Sequence, residues 1–149
     1  MNIIRARTVS AVVVTGLVAF ACSIVWYSPL LFGSIWMESR GAAVASSPTW
    51  KFMIMPLREI ITACLLVWLI GRLSITGWRQ AAALGFVLWA AFYAVQLAGA
   101  VIWDDMPWAL GAVHAGDWLM KMLLMSVMLS LWLGTKGGRV ETGPQGAEA

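Results

Sequence analysis

Thr8–Met37, TVSAVVVTGLVAFACSIVWYSPLLFGSIWM, contains no charged side chain. An α-helix needs about 20 mostly apolar residues to cross the hydrocarbon core of a bilayer. Arg5 and Arg7 stand directly before this run. The pattern predicts a membrane-crossing helix over about Val9 to Tyr27. It stops there because Pro29 has no N–H to donate and disfavours helical geometry at Ser28. Ala19-Phe20-Ala21 has the small-x-small form of a cleavage site, but the apolar run continues well past it. The segment therefore reads as a retained helix rather than a signal peptide.

The rest of the chain has the same character. Of 149 residues, 61% are hydrophobic and 11% are charged, with ten Trp, and the mean hydropathy is +0.83. Soluble domains are about half apolar and about a quarter charged, so a water-soluble globular fold is excluded, as is disorder. A second helix is expected from Ser46-Ser47-Pro48 to about Gly71, with Ser as N-cap and Pro in the first turn. Pro56, Arg58 and Glu59 lie inside it. A third spans Gln80 to Trp103, 24 residues without a charge. A fourth runs from about Pro107 to Leu133 and carries His114, Asp117 and Lys121. Residues 135–149, rich in Gly and charge, are expected to form a disordered cytoplasmic tail after a single domain over 1–134. The fold expected is all-α: a four-helix transmembrane bundle (helices about 9–27, 48–71, 80–103 and 107–133) with a short interfacial segment between helices 1 and 2.

Arg5, Arg7, Arg72, Arg79, Lys136 and Arg139 fall on one side of that topology, and Arg40 and Lys51 on the other. Basic residues favour the cytoplasmic side, so both termini are expected inside a bacterial cytoplasmic (inner) membrane. Most Trp sit near helix ends, where the ring anchors in the interface. Gly16, Ala19 and Ser23 on the first helix, and Ala90, Ala94 and Ala98 on the third, form strips of small residues expected to face inward. Cys22 and Cys64 show no ligand or redox spacing and are expected as small core residues.

Trp26-Tyr27-Ser28-Pro29-Leu30-Leu31-Phe32-Gly33-Ser34-Ile35-Trp36-Met37 reads W-Y-S-P-x-x-F-G-x-x-W-M. Together with Ala115-Gly116-Asp117-Trp118-Leu119, this motif resembles a bacterial family of small four-helix integral membrane proteins known as a domain of unknown function. The resemblance covers most of the chain. It implies four membrane helices and no assigned activity, and it brings no catalytic residues. The residues themselves suggest an interfacial corner: Pro29 ends the helix, Gly33 allows a tight turn, and Trp26, Tyr27, Phe32 and Trp36 suit the headgroup region.

The informative residues are the charges inside the apolar runs. A charge at the centre of a membrane helix costs on the order of 2.5–3.5 kcal/mol on insertion scales and normally faces inward and pairs. Arg58 lies ten residues past Pro48, and Asp117 ten past Pro107. Each is thus roughly 15 Å along its helix, in the outer half of the bilayer. His114, Asp117 and Lys121 share one helix face. The expected pairing is Arg58 with Asp117, a fork against a carboxylate, with Glu59 meeting Lys121 and Gln96 joining the network. This cluster is either a structural clasp or a site for an ion, a proton or a polar headgroup.

Other chemistries find no support. Met122, Met125 and Met128 recur at a three-residue interval, but Met is a common filler of apolar helices, so no metal is expected. No G-x-S-x-G, H-E-x-x-H or Gly-rich phosphate loop occurs, so neither enzyme nor cofactor is expected. The scattered basic residues argue against nucleic acid. The function expected is a non-enzymatic structural or accessory membrane component, with membrane lipid and a homo-oligomer as partners. The alternative is a small ion- or proton-linked transporter, channel or lipid-binding protein using the outer-leaflet cluster.

Overall fold

A computed structural model describes residues 2–40 and 50–134 of the chain. All elements among these residues are helical: α1 (Asn2–Trp26), α2 (Gly33–Arg40), α3 (Trp50–Arg72), α4 (Trp78–Leu88), a π-helical turn (Trp89–Ala94), α5 (Val95–Trp103) and α6 (Trp108–Gly134). Because α4, the π turn and α5 are continuous, four helical stretches are long and apolar enough to cross a membrane. These are Ala6–Trp26, Ile54–Arg72, Trp78–Trp103 and Trp108–Gly134. The expected helix start at Ser46-Ser47-Pro48 and the tail 135–149 lie outside the described residues.

The helices alternate in direction. At one end of the bundle Trp26, the last residue of α1, hydrogen-bonds the Val113 carbonyl near the start of α6. At the other, Gly134 closes α6 beside Thr76 in the turn between α3 and α4. α6 is the central element and touches every other described helix. α1 and α3 pack on each other and on α6, while α4 runs along another side of α6. α3 and the α4–α5 helix flank α6 without packing closely on each other, which leaves a lateral opening between them.

Each buried face follows a helical period. On α1 it is Ala11, Val12, Thr15, Ala19 and Ser23, and on α3 it is Glu59, Ala63, Leu66 and Ile70. Met122, Met125 and Leu129 of α6 complete the core. The outward faces are equally apolar, with Leu17, Ile24, Ile61, Leu65, Phe92 and Val95 all exposed. In water such a surface would be a large liability, and against lipid it is not. In a bilayer, burial of apolar side chains supplies little drive between helices, so small residues and polar pairs must hold the bundle.

The first small-residue strip behaves as its spacing predicts: Gly16, Ala19 and Ser23 are buried. The second does not. Ala90 and Ala94 are half-buried and Ala98 is exposed. Ala94 and Ala98 still face α6, but across a cavity of about 400 Å³ that they line with Gly111, Ala112 and Ala115, so the helices do not close on them. The cysteines are also displaced from expectation, since Cys64 is exposed and Cys22 half-buried.

Residues 27–32 turn the chain sharply between α1 and α2. The Ser28 hydroxyl donates to the Val25 carbonyl, and the Phe32 and Gly33 N–H groups donate back to Trp26 and Ser28. The turn requires glycine at 33: a Cβ there would lie 2.6 Å from the Ser28 carbonyl carbon and oxygen.

Candidate functional site

α1, α3 and α6 bring their polar residues to one buried place. Lys121 of α6 is its hub, fully buried, with Nζ 3.1 Å from Glu59 Oε1 on α3 and 2.7 Å from Asp117 Oδ2 one turn earlier on α6. Ser23 of α1 donates its hydroxyl to the other Asp117 oxygen, Oδ1, at 2.7 Å. Arg58 donates from Nη2 to Glu59 Oε1 at 2.9 Å. Two cations thus share one carboxylate oxygen, while Glu59 Oε2 is buried without a hydrogen-bond partner among the described residues.

Trp118 forms one wall of this arrangement. Lys121 Nζ lies 4.0 Å from its ring centroid and the Arg58 guanidinium carbon 4.6 Å, both within cation–π range. Tyr93 of the π turn stacks on the same ring at 4.1 Å and 17°. The π turn is anchored beside it by Trp89, whose indole N–H donates to the Ala115 carbonyl.

The chain of contacts continues toward the α1–α2 corner. The Tyr27 hydroxyl and His114 Nδ1 are 2.7 Å apart. The Tyr27 hydroxyl is also within hydrogen-bonding reach of the Asp117 carboxylate. Polar groups run in order from His114 through Tyr27, Asp117, Lys121 and Glu59 to Arg58.

The sequence-predicted residues fall out as follows. Glu59, Asp117 and Lys121 are brought together, with His114 at one end and Arg58 at the other. Arg58 pairs with its neighbour Glu59, however, and not with Asp117 as its fork geometry suggested. Lys121, one turn beyond Asp117, reaches both carboxylates first, and the Arg58 guanidinium lies over Trp118 instead. Gln96 does not join: it follows the π turn and is exposed.

The corner motif splits in two. Pro29 is exposed at the turn, next to Leu30, which is 86% exposed. Phe32 packs on Trp26 with ring centroids 4.5 Å apart, and Tyr27 on Trp36 at 5.6 Å. Trp26 and Tyr27 are not simple interfacial anchors. Both turn inward onto α6, where the Trp26 ring fills the gap left by Gly116, whose added Cβ would sit 2.7 Å from it. Ser23, Tyr93 and Trp118 are members that sequence reasoning did not assign to the cluster. Ser23 lies four residues before Tyr27 on the small-residue face, a spacing that marks it as their shared side of α1.

Charges are balanced, with Arg58 and Lys121 against Glu59 and Asp117. Every element of the arrangement can hold helices or accept a ligand. No curated protein and no solved structure matches this chain. A family model does match over residues 10–130, which takes in the corner, both carboxylates and Lys121. The chain therefore belongs to the family described as protein of unknown function (DUF1761).

Proposed function

We propose that this chain is a non-enzymatic integral membrane protein, a structural or accessory component of a bacterial cytoplasmic membrane, whose buried charges clamp three helices in one register. The observation that carries this reading is charge balance combined with burial: one ammonium bridges carboxylates from two helices, and a hydroxyl from a third completes it. Polar pairing of this kind gives direction to helix association where lipid supplies none. Both termini are placed in the cytoplasm because the inner side then holds six basic residues and the outer side two. The span Trp78–Trp103, in which only Ala81 and Gly85 are buried, is the surface left for lipid or for a second copy of the chain.

A second reading is ion- or proton-linked transport through the same cluster. The unpartnered Glu59 Oε2 favours it, because a buried acceptor without a donor is costly. The two readings separate in proteoliposomes loaded with a pH-sensitive dye. The clasp reading expects no proton flux above that of empty vesicles under an imposed potential, and a lower unfolding temperature in detergent for Asp117→Asn. Proton flux that disappears in Asp117→Asn, with unfolding temperature unchanged, would establish transport in its place. Native mass spectrometry adds a check: four helices leave little room for an alternating-access site, so a strict monomer counts against transport.

A further inference from the structure

Arg58 has an anomaly that the clasp does not absorb. Its side chain is 49% exposed on the outward face of α3, among Ile54, Ile61 and Leu65, each more than half exposed. A guanidinium offers five N–H donors. Among the described residues one of its nitrogens bonds, to Glu59. An arginine near a membrane surface commonly satisfies its remaining donors by reaching up to water. Here the guanidinium is held over Trp118, ten residues along α6 from Trp108, about 15 Å below the helix start. At that depth unpaired donors are expensive, because no bulk water meets them.

The surroundings say what is missing. The lateral opening between α3 and the α4–α5 helix has Trp118 at its back. Its α3 side carries Arg58 and Thr62, whose hydroxyl is bonded to the Arg58 carbonyl. Its other side carries Tyr93, presented by the π turn. The Tyr93 hydroxyl is close enough to interact with both Thr62 and the Arg58 charge. Outside this polar patch, Ile61 and Leu65 on one side and Phe92 and Val95 on the other are exposed apolar residues. Wide π turns recur at functional positions, and this one places an aromatic hydroxyl beside the half-satisfied cation.

We propose that the opening between α3 and the π turn binds a phospholipid, with a phosphate oxygen pair on the Arg58 guanidinium, assistance from the Tyr93 hydroxyl, and the acyl chains along the apolar residues outside. A guanidinium fork matches a phosphate in two parallel hydrogen bonds. Glu59 holds the fork from one side and leaves the outward edge for the ligand. The phosphate is the recognised group, so phospholipids with anionic and zwitterionic headgroups both bind. This rests on the chain being seated in a membrane, the reading proposed above, but it does not depend on the clasp.

The test is native mass spectrometry of the full chain, delipidated in neutral detergent. It is titrated with phosphatidylglycerol, phosphatidylethanolamine, diacylglycerol of the same chains, and inorganic phosphate. The expected result is one retained phospholipid of either type per chain, with diacylglycerol and inorganic phosphate each binding at least about tenfold more weakly. Arg58→Gln lowers phospholipid affinity by about tenfold or more, while Arg79→Gln, at the other end of the bundle, leaves it unchanged. Arg58→Lys keeps the pair with Glu59 but loses the fork. It therefore also weakens binding, and it serves if Arg58→Gln does not fold. Diacylglycerol binding as tightly as the phospholipids, inorganic phosphate binding as tightly without chains, or unaltered affinity in a folded Arg58 variant would each overturn the proposal. None of these outcomes bears on whether Asp117 and Lys121 clamp the helices.

Discussion

Replacing Lys121 by Met is the most demanding perturbation of the buried charges. Methionine is nearly the length of lysine and fills the same apolar path, so the change removes the charge with little cavity. The wild-type ammonium is fully buried and contacts Glu59 Oε1, Asp117 Oδ2 and the Trp118 ring. Without it, Arg58 still holds Glu59 and the Ser23 hydroxyl still holds Asp117, but two buried carboxylates then share one cation. Removing one partner of a buried ion pair costs about 3–5 kcal/mol, because the other is left uncompensated. At about 2–4 °C per kcal/mol for a chain of this size, the unfolding temperature should fall by roughly 10 °C. The assay is thermal unfolding in detergent followed by Trp fluorescence, run on Lys121→Met, Asp117→Asn and the double variant. Asp117→Asn removes the uncompensated charge, so the double variant should recover part of the loss, with a coupling above about 1 kcal/mol. A fall of under about 1 kcal/mol for Lys121→Met, or strict additivity, refutes the clasp. A rise in stability does so more strongly, since the charges would then be kept at a cost to folding, which is the mark of a functional site.

Three further outcomes follow from the geometry. Gly33→Ala places a methyl 2.6 Å from backbone atoms of Ser28 that cannot swing away, so the corner must open, with an expected loss of about 1–3 kcal/mol in the same unfolding assay. Tyr27→Phe removes the hydroxyl that meets His114 at 2.7 Å, and should cost about 0.5–1.5 kcal/mol. It should also shift the His114 ring-nitrogen resonances in an NMR titration, whereas an unchanged spectrum would mean the contact does not form. Asp105 holds φ at 53° in the turn before α6, a region that side chains enter at a cost. Asp105→Gly should therefore be neutral or stabilising within about 1 kcal/mol, and a clear destabilisation would show that its carboxylate has a role.

What the sequence made legible was whatever depends on a single helix or a single turn. The four apolar stretches follow from run length. Pro29 and Gly33 mark a corner because one cannot continue a helix and the other admits a close backbone approach. The common face of His114, Asp117 and Lys121 was visible because i, i+3 and i, i+4 spacing fixes it on α6. What stayed hidden depends on how helices rotate against one another. The exchange of Arg58 for Lys121 as the partner of Asp117 turns on which long side chain arrives first across a gap no sequence spacing measures. Gln96 follows the π turn, which moves it off the face that α-helical spacing predicted, whereas Ala98 lines a cavity against α6. Nothing in WAAFYA at Trp89–Ala94 announces a wider turn, because its residues are ordinary helix formers. The turn becomes intelligible only when Trp89 and Tyr93 are seen gripping α6, one by an indole hydrogen bond to Ala115 and the other by stacking on Trp118.

That grip bears on why the charges lie where they do. α4 has ample means to find α6 through aromatic contacts and a buried glycine, Gly85, whose added Cβ would strike the Met122 carbonyl. α3 has no such device toward α6: its glycine contact is with α1, where Ile60 packs against Gly16, and its inward residues are Ala63, Leu66 and Ile70 while Leu65 and Trp68 of similar character face outward. In lipid a rotation that exchanged those faces would change little in apolar contact, since acyl chains are as apolar as Leu. Glu59 makes one rotation distinct from the others, because it finds a cation on α6, and the fit of Ile60 on Gly16 of α1 agrees with that rotation. The same rotation then sets Arg58, its neighbour about 100° around the helix, at the edge of the lateral opening rather than inside the core. The pairing that fixes α3 therefore also produces the half-satisfied guanidinium, and the clasp and the lipid-facing cation are two consequences of adjacent residues on one helix.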